Sequence, residues 1–93
     1  MFELVYSRKF LKDLKLLKKK SLQDFEELTK VLRILVEKGH GGLERKHKAH
    51  KLKGEYSGYW EAHVKPDLLL IWDENNSLML LELVRTGTHS DLF

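Results

Sequence analysis

Leu78-Met-Leu-Leu-Glu-Leu-Val-Arg-Thr-Gly-Thr-His-Ser-Asp-Leu-Phe93 decides how the rest of the chain is read. Through Val84 it is an apolar run broken only by Glu82, which reads as a strand. Arg85 then stands at the strand's exit, Gly87 frees the backbone to turn, and His89 and Phe93 follow. A terminal segment this short frays unless something holds it. Taken alone it has an ordinary reading: Arg85 as a strand-end cation, His89 as a solvated loop residue, Phe93 as a plug for the core. A second polar cluster upstream, His50, His63 and Asp67, favours the other reading, a site for a phosphate and a base.

Working outward, Tyr59-Trp-Glu-Ala-His-Val64 alternates, with Tyr59, Glu61 and His63 on one face and Trp60, Ala62 and Val64 on the other. Pro66 ends that strand and Asp67 opens the next. Leu68-Leu-Leu-Ile-Trp72 is unbroken in its apolar character, as expected of a central strand covered on both sides. Asp73 to Ser77 reads as a turn in which Asn75 and Asn76 tolerate positive φ. The three strands make a meander. Towards the N-terminus, Phe2 to Tyr6 reads as a short strand and Ser7 caps a helix whose apolar face is Phe10, Leu14 and Leu17. Arg8, Lys12, Lys15 and Lys19 lie almost opposite, as a solvated face or as a surface for phosphates.

Lys18 to Lys20 and Ser21 break that helix, and Ser21 to Asp24 resembles a capping box. Phe25, Leu28, Leu32, Leu35 and Val36 form the stripe of a second helix, which stops at Gly39. The expected fold class is α+β. An N-terminal strand and a two-helix hairpin pack on an antiparallel sheet of about four strands, in a single domain spanning 1–93. His40 to Lys53 has no apolar period and carries Arg45, Lys46, Lys48, Lys51 and Lys53 against the single acid Glu44. A basic loop of that length is functional or mobile.

Composition bounds the function classes. The 93 residues allow one core, and the net charge of +3 with a pI of about 9.2 points to an anionic partner. No cysteine is present, so there is no disulfide framework and no thiol nucleophile; a reducing cytoplasm is the expected compartment. No apolar run approaches the roughly 20 residues that cross a bilayer. Met1 to Tyr6 lacks the basic leader of a signal peptide.

His50, His63 and His89, with Asp67 and Arg85, fall on the rim of one small sheet if this topology holds. Their spacing matches no metal motif, and no serine sits in a nucleophile elbow. Acid–base chemistry on RNA needs less. The 2′-hydroxyl is the nucleophile, so a protein supplies a base for its proton, a cation for the phosphorane charge and an acid for the leaving 5′-oxygen. Histidine serves as base or acid near neutral pH. The fork of Arg85 matches phosphate, and Phe93 can stack on a base.

His50-Lys-Leu-Lys-Gly54, Gly58-Tyr, Ala62-His-Val-Lys-Pro-Asp67-Leu-Leu-Leu-Ile71 and Arg85 to Phe93 together resemble the YafQ-type toxins of the RelE/ParE superfamily. The resemblance covers essentially the whole domain, and its last two motifs are the specific ones. It implies a small RelE-like fold and a ribosome-dependent mRNA endonuclease that inhibits translation. It further implies a cognate antitoxin, with the ribosome (rRNA) and mRNA as its other partners, and no cofactor, metal or membrane. By position, His50, His63, Asp67, Arg85 and His89 match the family's catalytic residues. Phe93 matches its terminal aromatic, and Glu61 an acid that related toxins carry. Lys51 and Lys53 are expected on substrate. Leu68 departs from relatives with a large aromatic after the aspartate. The roles implied are His89 as general acid, Arg85 on the scissile phosphate, Asp67 or His50 as base, and His63 orienting substrate or a neighbour. A non-enzymatic ParE-like inhibitor and a plain nucleic-acid-binding module are the competing classes; the histidine set speaks against the first, and a cleavage assay with mutants separates both from the nuclease.

Overall fold

The computed structural model describes residues 1–93. In chain order the elements are β1 (Glu3–Tyr6), α1 (Arg8–Lys20), α2 (Leu22–Lys38), β2 (His50–Lys51), β3 (Trp60–Lys65), β4 (Leu68–Asn75), β5 (Leu80–Gly87) and α3 (His89–Leu92). Short 3-10 turns at Gly39–Gly42, Arg45–His47 and Gly54–Tyr56 punctuate the segment between α2 and β3.

The helical hairpin forms where its caps place it. Ser7 accepts a hydrogen bond from the Phe10 amide at 3.0 Å and its hydroxyl donates to the Val84 carbonyl at 2.7 Å, so the start of α1 is tied to β5. Ser21 ends α1 and caps α2, accepting from the Asp24 amide at 3.1 Å. The reciprocal half of the expected capping box is replaced by an ion pair, since the Asp24 carboxylate takes Lys65 Nζ at 2.8 Å. Gly39 ends α2 with φ of 67°, and a Cβ there would lie 2.9 Å from Glu74 Oε2. No helix is long and apolar enough to cross a membrane.

The sheet has five strands in the order β1-β5-β4-β3-β2. The meander β3-β4-β5 is antiparallel as the alternation predicts. Two features depart from the antiparallel sheet of about four strands. β1 pairs parallel to β5 (Glu3 opposite Leu80, Tyr6 opposite Leu83), because the helical hairpin returns the chain to the far end of the sheet. β2 is a two-residue edge strand on β3, too short to leave a period in the sequence. The β4–β5 turn also comes later than expected. β4 runs through Asn75, whose side chain accepts from the Leu78 amide at 2.9 Å, and the positive φ of 54° falls on Met79.

Leu68 to Trp72 of β4 is buried throughout, and its two faces serve two clusters. Leu68, Leu70 and Trp72 join Phe10, Leu28 and Leu35 under the helices. Leu69 and Ile71 point the other way and are covered by Leu92 of α3, with Leu52, Tyr56, Tyr59 and Val84 around them. A fully buried leucine contributes roughly 1.5–3 kcal/mol, so Leu92 is the anchor that keeps the terminal turn from fraying. A bulge at Val84 sets Ile71 opposite Arg85. Cross-strand partners share a face, so Arg85 leaves β5 on the outer side, beyond the last residue of β1.

Candidate active site

The outer face of the sheet carries Glu61 and His63 from β3, with α3 lying across β4 and β5. Gly87 suits this: a Cβ there would come within 3.1 Å of Asp91 Oδ2, so any larger residue would have to displace the Asp91 side chain. Thr88 then caps the turn with Asp91 in a reciprocal box, the Thr88 amide donating to Asp91 Oδ2 at 3.0 Å and the Asp91 amide to Thr88 Oγ1 at 3.2 Å. The Thr88 amide first, and the nearby Thr88 hydroxyl second, hold the Asp91 carboxyl below the usual carboxylate range.

His89, the first residue of α3, is exposed and lies obliquely on Phe93 one helical turn later, with ring centroids 5.0 Å apart. Phe93 meets the edge of Tyr56 at 5.8 Å. Tyr56 in turn lies close enough to Arg85 to add to the rise of its guanidinium pKa. Arg85, Tyr56, Phe93 and His89 therefore form one connected patch, as a guanidinium beside two aromatic rings and an open imidazole.

Arg85 is not a free strand-end cation. Its Nε donates to Asp13 Oδ2 at 2.7 Å and its Nη2 to Asp13 Oδ1 at 3.1 Å, a side-on bidentate pair between β5 and α1. These bonds push the guanidinium pKa above its already high value, although partial burial opposes them. Asp67 occupies the two-residue turn between β3 and β4 rather than the start of β4, with its side chain 79% exposed and Lys65 Nζ 3.9 Å away. Asp67 and Arg85 line one cleft of about 810 Å³, whose opposite wall is α1 with Asp13, Lys19 and Lys20.

The remaining rim residues are braced from within. His50 Nδ1 lies 2.8 Å from the Lys48 carbonyl and Nε2 lies 3.3 Å from Glu61 Oε1, so both ring nitrogens face oxygen acceptors. Glu61, expected on substrate, is buried and lies opposite His50 in the register, its Oε1 meeting that ring. His63 Nδ1 lies 3.3 Å from the Pro66 carbonyl, the residue before Asp67. The three histidines share a face without touching one another. Lys51 is not brought to the rim; it pairs with Trp60 on the opposite face and places its Nζ 5.9 Å over that indole. Lys53 is exposed and leads into the turn bearing Tyr56. No three His, Asp or Glu side chains come together as a metal-binding set.

Two members of the patch escaped the sequence reading. Asp13 had a signal, as the only acid on α1 and spaced with Phe10, Leu14 and Leu17 on its apolar face. Tyr56 had none, since it sits in an aperiodic Gly-Glu-Tyr-Ser-Gly turn. His40 and His47, both in the basic segment after α2, are both engaged. His40 pairs with Glu74, and buried His47 receives the Glu44 amide at 3.3 Å.

A helical hairpin on one face of a five-stranded sheet, with a polar rim on the other, is the architecture of the small toxins of type II toxin–antitoxin systems. The chain belongs to the YafQ family among them: the family model described as "Bacterial toxin of type II toxin-antitoxin system, YafQ" matches residues 2–93. It is 36% identical over 91 residues to the mRNA interferase toxin YafQ of Escherichia coli (strain K12), covering 98% of this chain and 95% of that one. The E. coli DinJ-YafQ toxin–antitoxin complex superposes with a TM-score of 0.86 at 36% identity, over 99% of this chain and 97% of the other. A metal-bound toxin from Helicobacter pylori gives a TM-score of 0.86 at 42% identity, over 100% of both chains.

Proposed function

We propose that this chain is an mRNA interferase, the toxin of a type II pair, which cleaves mRNA on the ribosome and is silenced by a cognate antitoxin. The observation that carries the reading is the outer-face patch, with Arg85 aimed by Asp13 and His89 left open beside it. The whole-chain likeness to an mRNA interferase toxin and to a toxin held in an antitoxin complex supports it.

The chemistry follows from the groups present. A base takes the proton of the 2′-hydroxyl, and the 2′-oxygen attacks phosphorus. The bond from phosphorus to the 5′-oxygen breaks, and an acid protonates that oxygen, leaving a 2′,3′-cyclic phosphate and a 5′-hydroxyl. His89 is the acid, because its imidazole lies exposed beside the phosphate-binding Arg85 patch. Arg85 carries the developing phosphorane charge. The exposed carboxylate of Asp67, across the same cleft, is the proton acceptor. His50, with both ring nitrogens engaged by Lys48 and Glu61, is held on the rim and is not free to take the substrate's proton. His63 braces the turn that presents Asp67. Phe93 and Tyr56 offer ring faces to a base, and the exposed cations of α1 and Lys53 offer charge to rRNA or to an acidic antitoxin segment.

The test is cleavage of a defined mRNA on intact ribosomes, with the product ends mapped. Cuts leaving 2′,3′-cyclic or 3′-phosphate and 5′-hydroxyl ends, unaffected by chelator at concentrations that leave ribosomes intact, are expected. Inhibition of growth with uncut mRNA would return the ParE-like inhibitor reading, and binding without either effect the plain nucleic-acid module.

A further inference from the structure

Arg85 has five N–H donors, and Asp13 occupies two of them along one edge, the Nε–H and one Nη2–H. The remaining three, both Nη1 protons and the second Nη2 proton, are not taken by Asp13 and can meet an anion. The carboxylate that takes the side-on edge is itself immobilised. Asp13 Oδ2 also accepts from the Thr86 amide at 3.1 Å, and Thr86 Oγ1 donates to the Leu69 carbonyl at 2.7 Å. The helix that carries Asp13 is fixed to the same strand by the bond from Ser7 to Val84. Asp13 and Arg85 are both largely buried at this contact, their side chains 12% and 19% exposed. Asp13 is the one acid on a helix otherwise crowded with lysine and arginine. A carboxylate kept there, with every hydrogen bond directed at β5, is poorly explained as surface charge.

We infer that Asp13 is a positioning residue for RNA cleavage: it holds Arg85 side-on so that the free edge of the guanidinium is already aimed at the scissile phosphate. The inference rests on the reading of Arg85 as the phosphate-binding group. An unrestrained arginine carries rotamer entropy, which would otherwise be lost at the moment of reaction. Fixing it in advance acts on the transition state and leaves overall ribosome binding alone, since that binding is spread over many other cations. The opposite reading of the same geometry is a clamp, in which Asp13 neutralises Arg85 and holds it away from RNA. The two predict opposite signs.

The experiment is single-turnover cleavage on ribosomes, with affinity measured separately, for Asp13→Ala, Asp13→Asn, Arg85→Ala and the double variant Asp13→Asn/Arg85→Ala. The Asn variant keeps the volume and one acceptor for Thr86, so it reports on the lost carboxylate even if Ala lowers stability. Both Asp13 variants are expected to cleave roughly 10–100-fold more slowly with unchanged affinity, the scale of a misplacement of about 1 Å. In the Arg85→Ala background the Asp13 change is expected to add nothing, because it acts through that side chain. The Arg85 Nε proton should lose its hydrogen-bonded NMR shift in the Asp13 variants. Faster or unchanged cleavage by Asp13→Asn, while Arg85→Ala is inactive, would overturn the positioning role alone. Undiminished additivity in the double variant would do the same. Full-rate cleavage by Arg85→Ala would instead remove the phosphate reading on which the inference stands.

Discussion

Two parts of this molecule are built from the same residue types and end in opposite states. At the start of the basic loop, His40 Nδ1 meets Glu74 Oε2 at 2.7 Å, and the His40 amide donates to Glu74 Oε1 at 3.0 Å. Trp72 Nε1 donates to the same oxygen at 3.1 Å, and the His40 ring stacks on Trp60 at 3.9 Å. The Glu74 side chain is only 2% exposed, and each of these groups is satisfied by another. On the outer rim the carboxylate of Asp67 and the ring of His89 face solvent, while Arg85 is held along one edge only. A closed histidine–carboxylate–aromatic set holds a loop in place, whereas an open one has capacity left for a substrate. Neighbours decide the difference, because residue type is shared.

The comparison breaks first if the closed set proves dispensable. Glu74→Ala removes the acceptor of three bonds in a buried place, and unsatisfied buried donors cost about 1–3 kcal/mol each. Denaturant unfolding is therefore expected to show a loss of about 3 kcal/mol, with cleavage per folded molecule unchanged. A stable but inactive variant would mean that this end of the sheet belongs to the site. Leu92→Ala tests the other region with a smaller effect. Loss of the Leu92 anchor on Leu69 and Ile71 is expected to cost about 2 kcal/mol. Because the loss is local to α3, hydrogen exchange there should rise and cleavage fall with it.

A pH titration sharpens the contrast further. Burial, with Lys46 adding to it, lowers the pKa of His47 from its ordinary 6.5. A group whose folded pKa is depressed stabilises the fold above its unfolded value and loses that contribution as pH falls through the folded one. Wild-type melting temperature should fall as pH drops below about 6.5, and His47→Gln should remove that component. An identical slope in the variant would assign the effect elsewhere. The smallest change concerns the exposed face of α1. Reversing Lys12, Lys15 and Lys19 should leave stability near wild type and reduce the salt slope of ribosome binding by about 2–3. An unchanged slope makes that stripe a solvated face.

The parts legible in the sequence were those with a period or a cap. The β4 run from Leu68 to Trp72, the alternation that puts Glu61 and His63 on one face, and the stops at Ser21 and Gly39 all follow from local rules, and the structure bears them out. The parallel pairing of β1 with β5 was not legible, because it depends on where a helical hairpin delivers the chain. The two-residue β2 has no period to detect. At the rim, residue types named the candidates, yet partners gave them their states. Glu61 turned inward to His50 because a two-residue strand formed beside it. Asp13 reached Arg85 because β1 stops short of it. These are contacts between residues far apart in sequence, and no window along the chain contains them.

The central claim is that the open rim does the chemistry and the closed set only holds structure. His89→Gln and His40→Gln, purified side by side, test it through single-turnover mRNA cleavage on ribosomes and thermal melting of the same samples. Glutamine keeps much of the size and some hydrogen bonding but cannot deliver a proton at neutral pH. The account predicts that His89→Gln cleaves about 10²–10⁴-fold more slowly, the range of general acid–base assistance, while melting near wild type. His40→Gln should melt lower and cleave at the full rate per folded molecule. A His89→Gln protein that is destabilised yet cuts at the full rate per folded molecule would contradict it.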